Sequence, residues 1–148
     1  ENGAILKAAS GYVKIKTAII DAPDEMQIFD TTVILDESVR GRNGHLSVKW
    51  WGAKGDGVND DTEEIQAAVN SKYATIIFTT GRYLTSATIV VDWTVNSVNM
   101  LPGAYLAVGN TAKQGIIVGP DGSFPMLTAD RINKYYRLNV IRTSQSNW

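Results

Sequence analysis

The most informative stretch of this chain is residues 48–70, which read VKWWGAKGDGVNDDTEEIQAAVN. Its glycines at positions 52, 55 and 57 predict a tight turn, because glycine adopts a positive φ angle at no steric cost. Residues 46–51, just before the turn, are predicted to form a short strand that ends in two tryptophans. Trp50 and Trp51 could stack on sugars, but adjacent strand residues point to opposite faces of a sheet. At least one of them should therefore lie in the core, and we expect both to pack in the core or in an interface.

A helix is predicted directly after the turn. Asp61 is a good N-cap residue, and Glu64 follows it at the spacing of a capping box. Ile65, Ala68 and Val69 recur at positions i, i+3 and i+4, which indicates one apolar face. We expect this helix to end near residue 70 or 71.

The rest of the chain predicts strands joined by turns. Valine, isoleucine and threonine supply 40 of the 148 residues, and 13 glycines are spread along the chain, a bias that favours strands and turns. Besides residues 46–51, we expect strands at residues 12–20, 32–35, 74–78, 83–91, 95–101, 104–108, 115–118 and 135–141, with a smaller one at Leu127. Spacings of roughly ten residues are typical of a sandwich, a barrel or a β-solenoid, and periodicity alone leaves all three open.

Composition and charge exclude several classes of function. The chain has 14 basic and 15 acidic residues, a net charge of −1, so we expect neither nucleic acid nor an anionic membrane surface as a partner. The lack of cysteine excludes disulfides and thiolate chemistry. No apolar run approaches the ~20 residues that span a bilayer, so no membrane insertion is expected. Because the chain begins at Glu1 rather than at a methionine, we expect it to be a piece of a longer polypeptide.

The glycine-rich and acidic turn suggests two kinds of ligand, and neither spacing fits. A phosphate loop needs Gly-Lys followed by serine or threonine, whereas Lys54 here precedes Gly55. Clustered oxygen ligands suggest calcium, but Val58 stands at the third position of what would be an EF-hand loop. The oxygen-bearing side chains concerned are those of Asp56, Asn59, Asp60, Asp61, Glu63 and Glu64. We interpret them as a solvated turn and a helix cap, and we predict no metal ion and no cofactor.

No catalytic set of residues stands out. His45 is the one histidine of the chain, and no nucleophile marks it as part of a Ser-His-Asp arrangement, so we interpret it as a loop residue before a strand. Glycoside hydrolysis needs two carboxylates, commonly about 5–10 Å apart, and none of the acidic residues suggests such a pair. A small basic set, Lys134, Arg137 and Arg142, is interpreted as exposed and solubilising. We therefore predict no catalytic residue in this chain.

The stretch 48–70 resembles the opening motif of the pectate lyase-like superfamily, which is common in bacteriophage tailspikes and capsule depolymerases. The shared pattern is an aromatic residue, then Gly-Ala-x-Gly-Asp-Gly-x-x-Asp-Asp-Thr, then Ile-Gln-Ala-Ala. The continuation is also similar, at Ile76-Ile77-Phe78, Gly81-Arg82-Tyr83-Leu84, Ile89-Val90-Val91 and Leu101-Pro102-Gly103-Ala104. The resemblance is good over residues 46–110 and loose over residues 111–148.

This resemblance implies a mostly β fold, the start of a right-handed parallel β-helix with one N-terminal capping α-helix. Residues 46–148 would form the capping helix and the first coils of this β-solenoid. Residues 1–45 match no motif of the family, and we expect them to be a short β-rich lead-in or anchor segment, either a small domain of their own or an early coil. The helix would cover the apolar interior and the unpaired backbone groups at the open end. The residues expected to form this structural motif are Trp51, Gly52, Gly55, Asp56, Gly57, Asp60, Asp61, Thr62 and Ile65.

For function, the resemblance implies the N-terminal part of a phage tail spike or fibre that binds and degrades host surface polysaccharide. The fragment itself would be structural, with the catalytic carboxylates on later coils or between subunits. We expect a homotrimer in the virion tail, with other tail proteins and, through the later coils, the host polysaccharide as partners. Two alternatives stay open: a secreted bacterial polysaccharide lyase or glycosidase of the same fold, and an adhesin without enzymatic activity.

Overall fold

The computed structural model describes residues 4–16, 19–71, 74–91, 96–108, 117–118 and 140–141. In these ranges the chain is mostly β-structure, with one α-helix, α1, at Thr62–Val69 and one 3₁₀ helix at Val48–Trp51. The strands are β1 (Val13–Ile15), β2 (Ile19–Ile20), β3 (Val33–Leu35), β4 (Arg40–Gly41), β5 (His45–Ser47), β6 (Asp56–Asp60), β7 (Thr75–Phe78), β8 (Gly81–Thr85), β9 (Ile89–Val90), β10 (Ser97–Met100), β11 (Ala104–Val108), β12 (Ile117–Val118) and β13 (Val140–Ile141).

The pairs between described strands are all parallel. The chain therefore crosses back between paired strands and enters each sheet from the same end. One sheet has the order β5-β7-β10, a second β6-β8-β11-β13 and a third β9-β12. Each pass of the chain visits these sheets in the same sequence: β7, β8 and β9 are followed by β10, β11 and β12, and each strand pairs with its counterpart in the previous pass. The prediction of a mostly β chain is confirmed, and the parallel sheets with one short helix are consistent with the start of a parallel β-helix.

Parallel pairing also extends upstream of the helix. Strand β1 pairs with β3, β2 pairs with β4, and Leu6 forms a parallel bridge with Phe29. Two pairs of parallel strands therefore precede α1 in the chain, in sheets separate from those that contain β5 to β13. Val33 and Leu35 of β3 are buried in the same apolar core as the helix residues Ile65 and Ala68.

The prediction of a strand over residues 46–51 is wrong in its second half. The strand ends at Ser47, whose hydroxyl accepts a hydrogen bond from Lys49 N–H (3.2 Å) and so begins the 3₁₀ helix. Gly52, with φ of 102°, ends that helix, and its N–H donates to Lys49 C=O (3.0 Å). Because the segment is helical, both tryptophans are buried, with exposed fractions of 2% for Trp50 and 1% for Trp51.

Two other strand boundaries differ from expectation. Residues 83–91 divide into β8 and β9, and residues 12–20 contain both β1 and β2. At such a corner the chain turns from one sheet to the next, since β8 and β9 belong to different sheets, as do β1 and β2. His45 begins β5 rather than standing in the loop before it. Leu127, Lys134, Arg137 and Arg142 lie outside the described residues. Within the described residues no helix has the length and apolar character needed to cross a membrane.

Candidate functional site

The acidic turn at residues 52–61 is the candidate site, and Asp61 is at its centre. The Asp61 side chain is buried, with 1% of the residue exposed, and its carboxylate accepts hydrogen bonds from the backbone N–H groups of Lys54 (2.6 Å) and Gly55 (3.1 Å). Burial raises the pKa of this carboxyl group, and the two backbone donors oppose that rise. The buried carboxylate of Asp61 therefore holds the backbone of Lys54 and Gly55 in the turn from the interior of the protein.

This geometry corrects the expected capping box. Asp61 does occupy the N-cap position of α1, but its side chain makes no capping hydrogen bond to the helix. Its backbone N–H donates to Leu84 C=O (2.8 Å), so the group that Glu64 was expected to bind already has a partner in β8. The carboxylate bonds the turn instead of the helix because the turn lies on its buried side.

The start of the helix is held by Asp60 instead. One carboxylate oxygen of Asp60 accepts from Thr62 N–H (3.0 Å) and from the Thr62 hydroxyl, and the other accepts from the Ser86 hydroxyl. Thr62 Oγ1 in turn accepts from Ser86 N–H (2.9 Å). Burial acts to raise the pKa of Asp60, but these hydrogen bonds outweigh it and the pKa is lowered. Asp60 and Thr62 thus tie the helix to the corner that follows β8.

The glycines of the turn are explained by close neighbours as well as by backbone angles. Gly52, Gly55 and Gly57 all have positive φ, as predicted. A Cβ atom at Gly55 would lie 3.0 Å from two ring atoms of the buried Tyr83, and one at Gly57 would lie 2.7 Å from Cδ of Arg82. At Gly52 the neighbour would be the Gln27 side-chain amide, at 2.6 Å. Each glycine therefore leaves room for a side chain from another part of the chain.

Asp56 organises the exposed side of the same turn. Its Oδ1 accepts from the N–H groups of Val58 and Asn59, both at 2.8 Å, and its Oδ2 accepts from Asn59 Nδ2 at 2.5 Å. These bonds lower the pKa of Asp56 to about 2, and those from the N–H groups of Asn59 and Val58 have the largest effect on it. Strand β6 bulges at this point. Asp56 pairs with Arg82 and Asp60 pairs with Leu84, so four residue steps along β6 match two along β8.

The three aspartates do not converge on a common point. Asp61 is directed into the protein, Asp56 binds its own loop, and Asp60 binds Thr62 and Ser86. Across the described ranges no three histidine, cysteine, aspartate or glutamate side chains come close enough to hold a metal ion. The arrangement satisfies backbone and hydroxyl donors of the chain itself, which is structural chemistry.

A second polar cluster joins the N-terminal passes to the rest of the fold. Lys49 Nζ forms an ion pair with Glu25 (2.9 Å) and donates to Lys54 C=O (3.2 Å). His45 Nε2 lies 3.0 Å from Asp24 Oδ1, which resembles two members of a triad. The nearby Ser47 is buried and donates its hydroxyl hydrogen to Asp24 C=O (2.6 Å), so it is not poised as a nucleophile.

The outer face of the second sheet carries a further set of exposed side chains. Asp56 of β6, Arg82 of β8 and Tyr105 of β11 are register partners on adjacent parallel strands. All three are exposed, with 37% of Tyr105 accessible. The inward neighbours Tyr83 and Leu106 are buried, as alternation along a strand requires.

A family model described as rhamnogalacturonase A/epimerase, pectate lyase-like, matches residues 45–141, about two thirds of the chain. The chain belongs to this pectate lyase-like family. Members are generally carbohydrate-active, which confirms the superfamily resemblance and the coarse functional class. The match names no phage protein, so the tailspike identity stays a prediction. No curated protein and no solved structure matches the chain.

Two residues of this pectate lyase-like chain have structural roles that sequence reasoning missed. Asn96 Nδ2 donates to Val69 C=O at the end of α1 (2.6 Å), and Asn96 Oδ1 accepts from Ala74 N–H (3.2 Å). The side-chain amide of Gln66 pairs with the backbone of Val90. Both amides bridge the helix to strands more than twenty residues away, and the apolar periodicity that predicted the helix gives no signal for such contacts.

Proposed function

We propose that this chain is the N-terminal part of a phage tail spike or fibre. The right-handed parallel β-helix of that whole spike or fibre would bind and degrade host surface polysaccharide. In this account the chain is structural: it links the virion tail to the carbohydrate-active coils that follow and takes part in a homotrimer. Other tail proteins are its partners on the virion side.

The observation that carries this proposal is the way the N-terminal passes are bonded to the coils after them. Ile28 N–H and Phe29 N–H both donate to Trp50 C=O, at 3.0 and 2.8 Å. The indole of Trp50 donates to Pro23 C=O, and that of Trp51 to Val33 C=O, both at 2.9 Å. Phe29 also packs on Trp51, with ring centroids 5.3 Å apart. A lead-in held by several backbone and indole hydrogen bonds suits a rigid connection between an anchor and a glycan-active β-helix.

The chemistry of the described residues supports a structural role for this part of the protein. The carboxylates of the turn bond the chain itself, and Glu25 is paired with Lys49. Catalysis in the proposed spike therefore belongs to coils beyond the described ones, as the superfamily resemblance implies.

The solution mass of the chain, measured by light scattering after size exclusion, tests the proposed assembly. One chain has a mass of 16.1 kDa, so a trimer has a mass of about 48 kDa, three times that value. We expect the trimer. A monomer at all concentrations tried would contradict trimer assembly by this chain and would favour the secreted enzyme.

The second candidate is a secreted bacterial lyase or glycosidase, and the description of the matched family favours it, because that description names an enzyme. The two enzymatic readings and an adhesin differ in what they do to a glycan. The longer protein that contains this chain should shorten its polysaccharide if it is a depolymerase of either origin. An adhesin would bind the polysaccharide and leave its length unchanged.

A further inference from the structure

The outer row, which we define as Asp56, Arg82 and Tyr105, lies on the exposed face of three adjacent strands. Its first member, Asp56, bonds its own loop. Adjacent parallel strands are about 4.8 Å apart, so these three register partners extend over about 10 Å of the sheet surface. They are the exposed members of strands whose inward residues form the core. The row therefore presents a carboxylate, a guanidinium group and an aromatic ring side by side to solvent.

Arg82 is the member whose guanidinium group has no partner among the residues that the structure describes. Within the described residues it forms no ion pair and no side-chain hydrogen bond, and its backbone N–H donates to Gly55 C=O (2.7 Å). Its aliphatic stem packs against Gly57, where a Cβ atom would lie 2.7 Å from Cδ. The glycine of the bulge thus leaves space for the arginine stem, and among the described residues no acceptor takes up the five donors of the guanidinium group.

Tyr105 is the exposed aromatic residue of the row. It is the candidate for stacking on a sugar, the role that the sequence suggested for Trp50 and Trp51. Trp50 and Trp51 are buried in the core, so neither can stack on a sugar. Of the described aromatic residues, those with large exposed fractions are Tyr105 (37%) and, on the first pass of the chain, Tyr12 (67%). Tyr105 differs from Tyr12 in standing next to Arg82 in the strand register.

The charges of the row indicate the kind of ligand. Asp56 is ionised at neutral pH and Arg82 is always cationic, so the two register partners together have no net charge. A uniformly anionic chain would meet the carboxylate, and a cationic one would meet the guanidinium group. An uncharged sugar brings hydroxyl groups that both donate and accept, together with an apolar ring face that packs on an aromatic side chain.

We propose that the outer row is a binding site for an uncharged polysaccharide, with one sugar ring packed on Tyr105 and its hydroxyl groups bonded to Arg82. This inference rests on the proposed carbohydrate-binding function and adds to it, because it gives this chain a glycan contact of its own ahead of the later coils. The site holds the polysaccharide and performs no reaction.

Affinity electrophoresis of the 148-residue chain tests the site. The probes in the gel are three neutral polysaccharides (dextran, galactan and mannan), with polygalacturonate as the charged comparator, and each mobility is normalised to a glycan-free gel. We expect retardation by at least one neutral polysaccharide and a weaker effect of polygalacturonate. Tyr105→Ala and Arg82→Gln should each weaken the binding about tenfold, the loss expected for a contact with an aromatic ring or a charged donor. Tyr105→Phe, which keeps the ring, should bind as the parent does.

Matched controls use an exposed tyrosine and an exposed cation outside the row. Tyr12→Ala removes the other exposed tyrosine and Lys16→Gln removes another exposed cation, and we expect neither to change the binding. Equal loss in Lys16→Gln and Arg82→Gln, a preference for polygalacturonate, or no retardation by any neutral polysaccharide would each overturn the proposal. A trimer that binds none of these polysaccharides would overturn the outer row and leave the tail-spike proposal standing. A monomer whose glycan binding depends on Arg82 and Tyr105 would do the reverse.

Discussion

The side chain of Gln66 pairs with the backbone of Val90 in both directions. Its Nε2 donates to Val90 C=O at 3.0 Å, and its Oε1 accepts from Val90 N–H at 2.9 Å. Strand β9, which contains Val90, pairs through its backbone with β12. On the other side of β9, the side chain of Gln66 supplies the donor and the acceptor that a preceding strand would supply. One helix side chain therefore completes the first strand of the third sheet, whose edge would otherwise hold unpaired backbone groups.

Replacing Gln66 should loosen that strand locally. In Gln66→Glu the donor is lost and a carboxylate faces Val90 C=O, so we expect amide hydrogen exchange at Val90 to become faster and the unfolding free energy to fall by about 1–2 kcal/mol. Glu63→Gln, on the exposed side of the same helix, serves as the control and should leave both quantities unchanged. Unaltered exchange at Val90 in Gln66→Glu would contradict the pairing.

The turn glycine at position 55 should tolerate no side chain. Gly55→Ala places a Cβ atom 3.0 Å from the Tyr83 ring in addition to the positive φ of 61°, so we expect a loss of about 2–3 kcal/mol in urea unfolding. Gly44 has a similar φ of 78° but no heavy atom within 4 Å of its Cβ position, so Gly44→Ala isolates the backbone cost, about 1 kcal/mol. Equal losses in the two variants would show that the contact with Tyr83 is unimportant.

The apolar face of α1 should be sensitive to charge. Ile65 is fully buried among the core residues, so Ile65→Asp places an unpaired carboxylate there and should cost about 3–5 kcal/mol. Val58, at 80% exposure on the β6 bulge, provides the matched site, and Val58→Asp should change the stability by less than about 0.5 kcal/mol. The unfolding midpoints of the two variants in urea measure the difference, and an unchanged midpoint for Ile65→Asp would exclude the helix from the core.

The helix, its buried face and the glycine turn could all be predicted from the sequence, because each depends on local properties. Apolar residues at helical spacing fix the buried face of α1 whatever it packs against. Positive φ angles at Gly52, Gly55 and Gly57 follow from what glycine alone adopts readily. The parallel β architecture came from the superfamily resemblance, since strand spacing left three architectures open.

The contacts that the sequence could not predict depend on partners distant in the chain. Asp61 was expected to cap its own helix, but the N–H group that a capping box needs bonds to Leu84 in β8. The two tryptophans do pack in the core as expected, but the strand predicted there is a 3₁₀ helix that begins after Ser47 and ends at Gly52. The residues upstream to which the indole donors bond were not predicted. Local patterns contain no information about such partners.

Acid should act on the exposed part of the turn through Asp56. Its pKa in the folded chain is about 2, below the ordinary value of 3.8, so the stability it contributes is complete above pH 3.8 and is lost as the pH falls toward 2. We expect the side-chain carboxyl ¹³C signal of Asp56 to titrate near pH 2, with the amide signals of Val58 and Asn59 following it. In Asp56→Asn this contribution to the acid limb should vanish. A midpoint near pH 3.8 would show that the hydrogen bonds from Val58 and Asn59 are not retained in solution.

The central claim is that the acidic residues of the turn hold the chain itself and not a ligand, and urea unfolding of Asp61→Ala tests it most directly. Removing this buried carboxylate leaves the N–H groups of Lys54 and Gly55 without an acceptor, so we expect a loss of about 2–4 kcal/mol. Asp21→Ala, which removes an exposed acid, should cost little, and calcium should leave the midpoint of the parent chain where it is. An unchanged midpoint in Asp61→Ala, or a calcium-dependent rise in the parent that this variant lacks, would contradict the claim.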